Sequence, residues 1–391
     1  MNIPRSLTTT LLAAGLLSCV GQLHAQTTLP DRHASVKQEI GLAISRATAW
    51  LKTQQNAETG AWSLPDEPAI TGLVVTAFVG DPNHTQGSPQ PAEVDKGYKF
   101  LLTKVQPDGG IYSKGRANYN TSICLTALVF NAKPEWQQTI LRARRFIIGQ
   151  QNDFDEKGKT DNPFDGGIGY GSHPPPHADL SNTHFALEAL YYSKKIFEDS
   201  HPEDKKDDLD WNAAITFVQR CQNLKGSNDQ PWASDDPAVK GGFIYEPGQS
   251  KAGEIKTADG KTALRSYGSI SYAGMLSFIY AGVTPDDSRV KAVLKWLGEN
   301  YSVDENPGLG QKGLYYYFHT MSKALSVADV DNLVTKDGKK VDWKEDLSRK
   351  ILDTQRSDGS WKNDTGSFME SDPVLDTAYT VLSLEHLYRK L

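Results

Sequence analysis

The chemistry open to this chain rests on a few acids, histidines and tyrosines set inside otherwise apolar segments. Asp376 stands in Pro373-Val374-Leu375-Asp376-Thr377-Ala378, four residues after Asp372. Asp179 precedes Leu180-Ser181-Asn182-Thr183-His184, and His319 follows the run Tyr315-Tyr316-Tyr317-Phe318. A carboxyl group removed from water keeps its proton near neutral pH and can donate it, and a neutral imidazole can relay one. The catalytic candidates are therefore Asp376, Asp372, His319 and Asp179. Around them Tyr119, His184, Arg265, Tyr267, Tyr272, Tyr316 and Tyr379 would wall an aromatic cavity suited to an apolar or cationic ligand. The same residue types have a plainer use. Asp, Ser and Asn are preferred helix caps, and a buried histidine can be a satisfied core residue.

Other chemistries find little support. Asp153-Phe154-Asp155-Glu156-Lys157-Gly158 opens like a calcium loop, but Lys157 and Phe164 occupy positions that need oxygen ligands. A looser site built from Asp153, Asp155, Asp161 and Asp165 competes with a solvated insertion. His173 and His177 flank Pro174-Pro175-Pro176, a rigid loop, and are too isolated to be ligands. There is no Gly-x-Ser-x-Gly elbow and no phosphate-binding Gly-Lys-Ser/Thr loop. We expect neither a metal nor a cofactor.

Elements that could position these residues follow from a pattern that recurs along the chain. A helix-like stretch ends near Gln or another polar residue, passes a Gly-Gly or Gly-aromatic turn, and leads to an apolar helix. Examples are Gln54-Gln55-Asn56 before Gly60-Ala61-Trp62, Gln106 before Gly109-Gly110-Ile111-Tyr112, and Gln150-Gln151-Asn152 before Gly166-Gly167-Ile168. Gln222-Asn223 before Gly241-Gly242-Phe243 and Gln355 before Asp358-Gly359-Ser360-Trp361 continue the series; Trp296-Leu297 before Gly313-Leu314 is a degenerate copy. The first helix of each pair is amphipathic, as in Ile40, Ile44, Ala47 and Leu51. The second is apolar nearly all round and belongs inside. Six hairpins of this kind predict an all-α fold, an α/α toroid with inner and outer helix rings.

The Gln followed by Gly-x-Trp or Gly-Gly-aromatic resembles the Gln–Trp repeats of squalene and oxidosqualene cyclases, on a toroid that also serves protein prenyltransferase β-subunits. The resemblance covers about residues 40–387 and identifies the chain as similar to the terpenoid cyclase and protein prenyltransferase superfamily. It implies that the Gln bonds loop backbone and the aromatic residue packs across the hairpin mouth, neither of which is chemistry. Triterpene cyclases protonate an alkene with the middle acid of Asp-x-Asp-Asp-Thr-Ala. Here that position is Leu375, and only the last acid survives, as Asp376. Prenyltransferases hold zinc through Asp-x-Cys and a His. The corresponding Tyr267-Gly268-Ser269 offers neither acid nor thiolate, and His319 alone cannot hold the metal.

The expectation is a cyclase-like toroid acting on an isoprenoid or other apolar substrate. The alternative is a non-catalytic binding or interaction module on the same toroid, and a polysaccharide-degrading toroid is weaker still. The partner that the aromatic cavity residues and the resemblance imply is a hydrophobic small molecule. A formal net charge of -6 over 391 residues gives no basic excess for nucleic acid. A mean hydropathy of -0.50 leaves no room for a bundle of membrane helices, although peripheral contact with a membrane is compatible with it. Residues 1–25 carry Arg5, the apolar run Leu11-Leu12-Ala13-Ala14-Gly15-Leu16-Leu17 and the exit Leu23-His24-Ala25. That is the layout of a signal peptide, so we expect residues 26–391 to form one exported toroid domain, periplasmic or secreted. Lipid anchoring through Cys19 fits the residues before it poorly. Cys124 and Cys221 would remain as buried thiols.

Overall fold

The computed structural model describes residues 33–391 apart from 86–87, 172–177, 201–207 and 258. The leader-like segment, Cys19, His173, Pro174-Pro175-Pro176 and His177 lie outside the described residues. Helices alternate between two layers. The outer layer holds α1 (Ala34–Gln54), α3 (Ala92–Thr103), α5 (Gln137–Ile148), α7 (Trp211–Arg220), α9 (Ser288–Glu299) and α11 (Trp343–Asp353). The inner layer holds α2 (Pro68–Gly80), α4 (Ala117–Asn131), α6 (Leu180–Ser200), α8 (Gly268–Tyr280), α10 (Leu314–Val327) and α12 (Pro373–Lys390). Each inner helix packs on the next, and α12 returns to α2, so the ring closes. The burial pattern explains the layering. In α8 every residue from Gly268 to Phe278 is buried, whereas α9 buries one stripe, Val290, Val293, Trp296, Leu297 and Gly298.

The turns between layers do more than reverse the chain. Gln55 donates from its side-chain amide to the carbonyl of Gly60 at 2.9 Å and to that of Glu93 at 2.8 Å, reaching the next outer helix. Gln151, Gln222 and Gln355 repeat this, bonding Gly166, Gly241 and Gly359 within the turn and Asp210, Arg289 and Ala43 beyond it. Gln106 departs from the scheme, since its amide stays within its own turn and Arg142 crosses over instead. Trp62 and Trp361 are fully buried, and their indole N–H groups donate to the carbonyls of Leu51 and Ile351.

Gly359 shows why glycine is needed at the turn. Its φ is +94°, and a Cβ there would lie 2.7 Å from the carbonyl oxygen of Arg46 in α1. This contact helps to join the last hairpin to the first. Gly359→Ala is expected to cost about 1–3 kcal/mol through backbone strain alone, read as a lowered midpoint of denaturant unfolding.

Two features were not legible as helices or turns. The insertion from Gly248 to Lys261 and its flank form a short antiparallel hairpin, β1 (Glu254–Lys256) with β2 (Thr262–Leu264). A second one pairs β3 (Leu333–Val334) with β4 (Lys340–Val341). Both hairpins turn at Gly residues of positive φ, Gly260 and Gly338. Cys124 and Cys221 are buried and unpaired.

Candidate functional site

The amino-terminal ends of α4, α6, α8, α10 and α12 surround a cavity of about 560 Å3 at one mouth of the ring. Half of its lining residues are aromatic: Tyr119, Tyr170, Tyr245, Tyr267, Tyr316 and Tyr379, with Phe185 and Phe368. Tyr119 meets Phe185 edge-on at 5.3 Å, and Tyr316 lies 5.8 Å from Tyr379. These rings hold one another in place.

Two cations reach this cavity, and sequence reasoning found neither. Lys251 comes from the insertion before β1, and its Nζ sits 3.4 Å from the ring centroid of Tyr245 and 5.1 Å from that of Phe368. Burial lowers the pKa of its ammonium, against the attraction of Asp179 and Glu246. Arg116 precedes α4 in the left-handed region, with φ 48°, pairs with Glu67 at 3.3 Å and donates to Met369 Sδ. In the sequence Lys251 belongs to the long connection from Gly248 to Lys261, and only the fold lays that connection at the mouth.

The carboxylates expected to do chemistry are placed differently. Asp179 is buried one layer behind the wall, where it accepts from the backbone and side-chain nitrogens of Asn182 at 2.9 and 2.7 Å. Burial pushes its carboxyl up, opposed by Asn182 and by the charge of Lys251. Asp372 caps α12, accepting from Val374 N at 2.9 Å, and also accepts from the Ser63 hydroxyl. Asp376 is fully buried but turns from the cavity towards the last hairpin turn, where it accepts from Asn363 N at 2.7 Å. Burial, with the charge of Glu370 second, pushes its carboxyl up to about 9. Glu370 was not anticipated. It is fully buried, accepts from Tyr316 N at 2.8 Å and takes the Asn363 side-chain amide at 2.6 Å. Asn363 therefore ties both carboxyl groups to the loop over α10. Unpaired N–H groups of helix ends and turns have claimed these acids, which is why none of the three expected acids lines the cavity.

The remaining expected residues separate. Tyr119, Tyr267, Tyr316 and Tyr379 line the mouth cavity. Tyr272 does not: it is buried against Tyr317, ring centroids 5.8 Å apart, between helices. Arg265 is exposed beyond β2 and contributes no wall, because the hairpin carries it outward. His319 faces away from the mouth into a second, deeper space, its ring stacked on Tyr379 at 5.3 Å, and burial lowers its pKa well below the ordinary value. His184 lies in the same interior, with Nε2 3.7 Å from Glu188. Burial, then the Lys323 charge, lowers it to about 3. Both are neutral imidazoles at neutral pH.

Among the described residues no group of three or more His, Cys, Asp or Glu could hold a metal ion. In the insertion after α5, Asp165 accepts from Phe154 N and Asn162 N, and Asp153 from Gly158 N.

The closed double ring of helices is an α/α toroid. No family model matches the sequence, and no curated protein matches it. Solved structures do. An unliganded variant of the type II terpene cyclase MstE from Scytonema is similar over 91% of this chain and 99% of its own, at 12% identity and a TM-score of 0.53. Another variant of that enzyme, in complex with its substrate geranylgeranyl dihydroxybenzoate, matches with the same coverage and identity at a TM-score of 0.52. Protein geranylgeranyltransferase-I of Candida albicans, complexed with GGPP, aligns over 88% of this chain and 89% of its own, at 14% identity and a TM-score of 0.47. At such identities the likeness is one of fold.

Proposed function

We propose that this chain binds an apolar, isoprenoid-type small molecule with an anionic end in the mouth cavity, and holds it without the proton transfer that begins type II cyclisation. The composition of the cavity carries this reading. Six tyrosines and two phenylalanines wall it, Lys251 and Arg116 reach it, and no described lining residue is a carboxylic acid. Aromatic faces favour an apolar chain, and a lysine partly drawn out of water favours an anionic group beside it. The volume of about 560 Å3 suits one small ligand.

A catalytic reading has one observation in its favour, since Asp376 keeps its proton at neutral pH. Asp376 does not line the mouth cavity, and its Oδ2 is held by the turn at Asn363. The two readings separate in one experiment. Farnesoic acid and farnesol are titrated into the purified chain, and geranylgeranyl dihydroxybenzoate and squalene are incubated with it and recovered for mass analysis. Lys251→Gln is expected to weaken farnesoic acid about tenfold, near 1.4 kcal/mol, and farnesol hardly at all. The incubated compounds are expected back unchanged. A cyclised product that disappears in Asp376→Asn would replace the binding reading by the catalytic one.

Access to the cavity fits a ligand delivered from a lipid phase. Phe368 and Tyr170 are 48% and 37% exposed at the mouth, and Phe368 and Met369 hold positive φ of 59° and 69°. No described helix is long and apolar enough to cross a membrane, so contact of this kind would be peripheral. We further propose that residues 1–25 direct export, with Gln26 the first residue of the mature chain; an intact-mass measurement on extracellular or periplasmic material checks it.

A further inference from the structure

Five inner helices open on the mouth, yet part of the anion-binding capacity of their ends is already committed. Asn118 N donates to the carbonyl of Tyr170 at 3.1 Å, and Leu180 N to that of Tyr245 at 2.8 Å. Ser269 N donates to Asn306 Oδ1 at 2.9 Å, Tyr316 N to Glu370 and Val374 N to Asp372. A phosphate seated on a helix end needs several such N–H groups at once. An anion at this mouth therefore leans on the side-chain cations.

The two cations of the lining are differently placed. Lys251 rests its Nζ on the face of Tyr245, 3.4 Å from the ring centroid, and not on a carboxylate. Arg116 faces one: its Nη1 lies 3.3 Å from Glu67 Oε1 and donates to Met369 Sδ at 2.9 Å. Glu67 stands at the start of α2, and Asn120 of α4 fixes it there, donating from Nδ2 to Oε2 at 3.2 Å. The Glu67 side chain is 18% exposed against 43% for Arg116, so the acid is the better shielded of the two. Both charges reach the wall. Burial raises the Tyr119 hydroxyl to about 12, and Glu67 and Arg116 act on it in opposite senses. Glu67 thus cancels part of the field that Arg116 would give the cavity.

A carboxylate brings one negative charge, which Lys251 can match by itself. A diphosphate brings roughly three near neutral pH. With Arg116 held by Glu67, charge on the diphosphate stays uncompensated, and an unmatched charge drawn from water is unfavourable.

We propose that Glu67 sets the charge of the ligand: by holding Arg116 it fits the mouth to an isoprenoid carboxylate and against an isoprenoid diphosphate. Glu67 acts through Arg116 without touching the ligand, and this selectivity rests on the reading of the mouth as an isoprenoid site.

Calorimetric titration of the full chain with farnesoic acid and with farnesyl diphosphate, at low ionic strength and without divalent cations, tests it. Wild type is expected to bind the acid at least about tenfold more tightly than the diphosphate. Glu67→Gln keeps an oxygen for Asn120 and takes the charge away from Arg116. In that variant the affinity for the diphosphate is expected to rise about tenfold, a gain that a loosened fold would not produce. Wild type binding the diphosphate as tightly as the acid overturns the selectivity and leaves the mouth an isoprenoid site. A diphosphate affinity that stays level or falls, in a Glu67→Gln chain with retained helical circular dichroism, overturns the role of Glu67. Should that variant not fold, Glu67→Asp, which draws the carboxylate back from Arg116, is expected to shift the ratio of the two affinities the same way, and an unmoved ratio overturns the role. If wild type binds neither compound, the reading of the mouth as an isoprenoid site falls, and the selectivity with it.

Discussion

Glu188→Ala is expected to lower the free energy of unfolding by about 3–5 kcal/mol, far more than the loss of a surface ion pair. The reason lies in what remains. Lys323 is buried and its ammonium donates to Glu188, so removing the carboxylate strands a charge in the interior. The His184 ring cannot replace the carboxylate, because an imidazole supplies no negative charge. Removing both partners should behave differently. A Glu188→Leu, Lys323→Met chain is expected to match wild type or exceed it by about 1–4 kcal/mol, since apolar groups of similar volume avoid the desolvation of both ions. Denaturant unfolding of the two single variants and the double variant gives the coupling directly. If the double variant is as unstable as either single one, the ion pair is itself the source of stability. If it is not, the pair is retained for something other than folding.

The second large effect concerns pH. The Asp376 carboxyl is pushed from its ordinary 3.8 to about 9, so between these values the folded chain holds a proton that the unfolded chain has released. Stability therefore falls as pH rises through this window, with a slope of at most about 1.4 kcal/mol per pH unit from this one group. Below about pH 4 both states are protonated and the effect vanishes. Asp376→Asn keeps an oxygen for Asn363 N and removes the titration. We expect unfolding midpoints of wild type to drop between pH 5 and pH 8 and those of the variant to drop less. A wild-type profile no steeper than that of the variant contradicts the buried, protonated state of Asp376.

Much of the architecture was legible because helix periodicity and turn chemistry are local. Ile40, Ile44, Ala47 and Leu51 mark one face of α1, and all four are buried. Gln followed by a Gly-aromatic turn recurs because the same bonds form at Gln55, Gln151, Gln222 and Gln355: amide to turn carbonyl, amide to next outer helix. The short hairpins β1–β2 and β3–β4 carry two or three residues per strand, too few for an alternating pattern to stand out.

The site was legible only in outline. Aromatic residues at the openings of the inner helices could be named, and Tyr119, Tyr267, Tyr316 and Tyr379 do meet around one cavity. The acids could not be assigned, because a carboxylate at a helix start serves a cap or a catalytic site with the same residue type. Asp372 bonds Val374 N, and Asp376 bonds Asn363 N, thirteen residues away. Lys251 gave no signal at all, since its role depends on how its loop crosses the ring. Glu188 and Lys323 are 135 residues apart and meet only because α6 and α10 both face the interior.

By itself, then, the sequence determined the class of fold, the alternation of amphipathic and apolar helices, and the glycine turns between them. Each of these depends on interactions within a few residues or on a repeated local motif. Only the tertiary structure decided which polar side chains face a cavity and which satisfy backbone. Closing the ring brings together segments remote in the chain, and every buried donor left by a helix end must find an acceptor before any acid is free for chemistry.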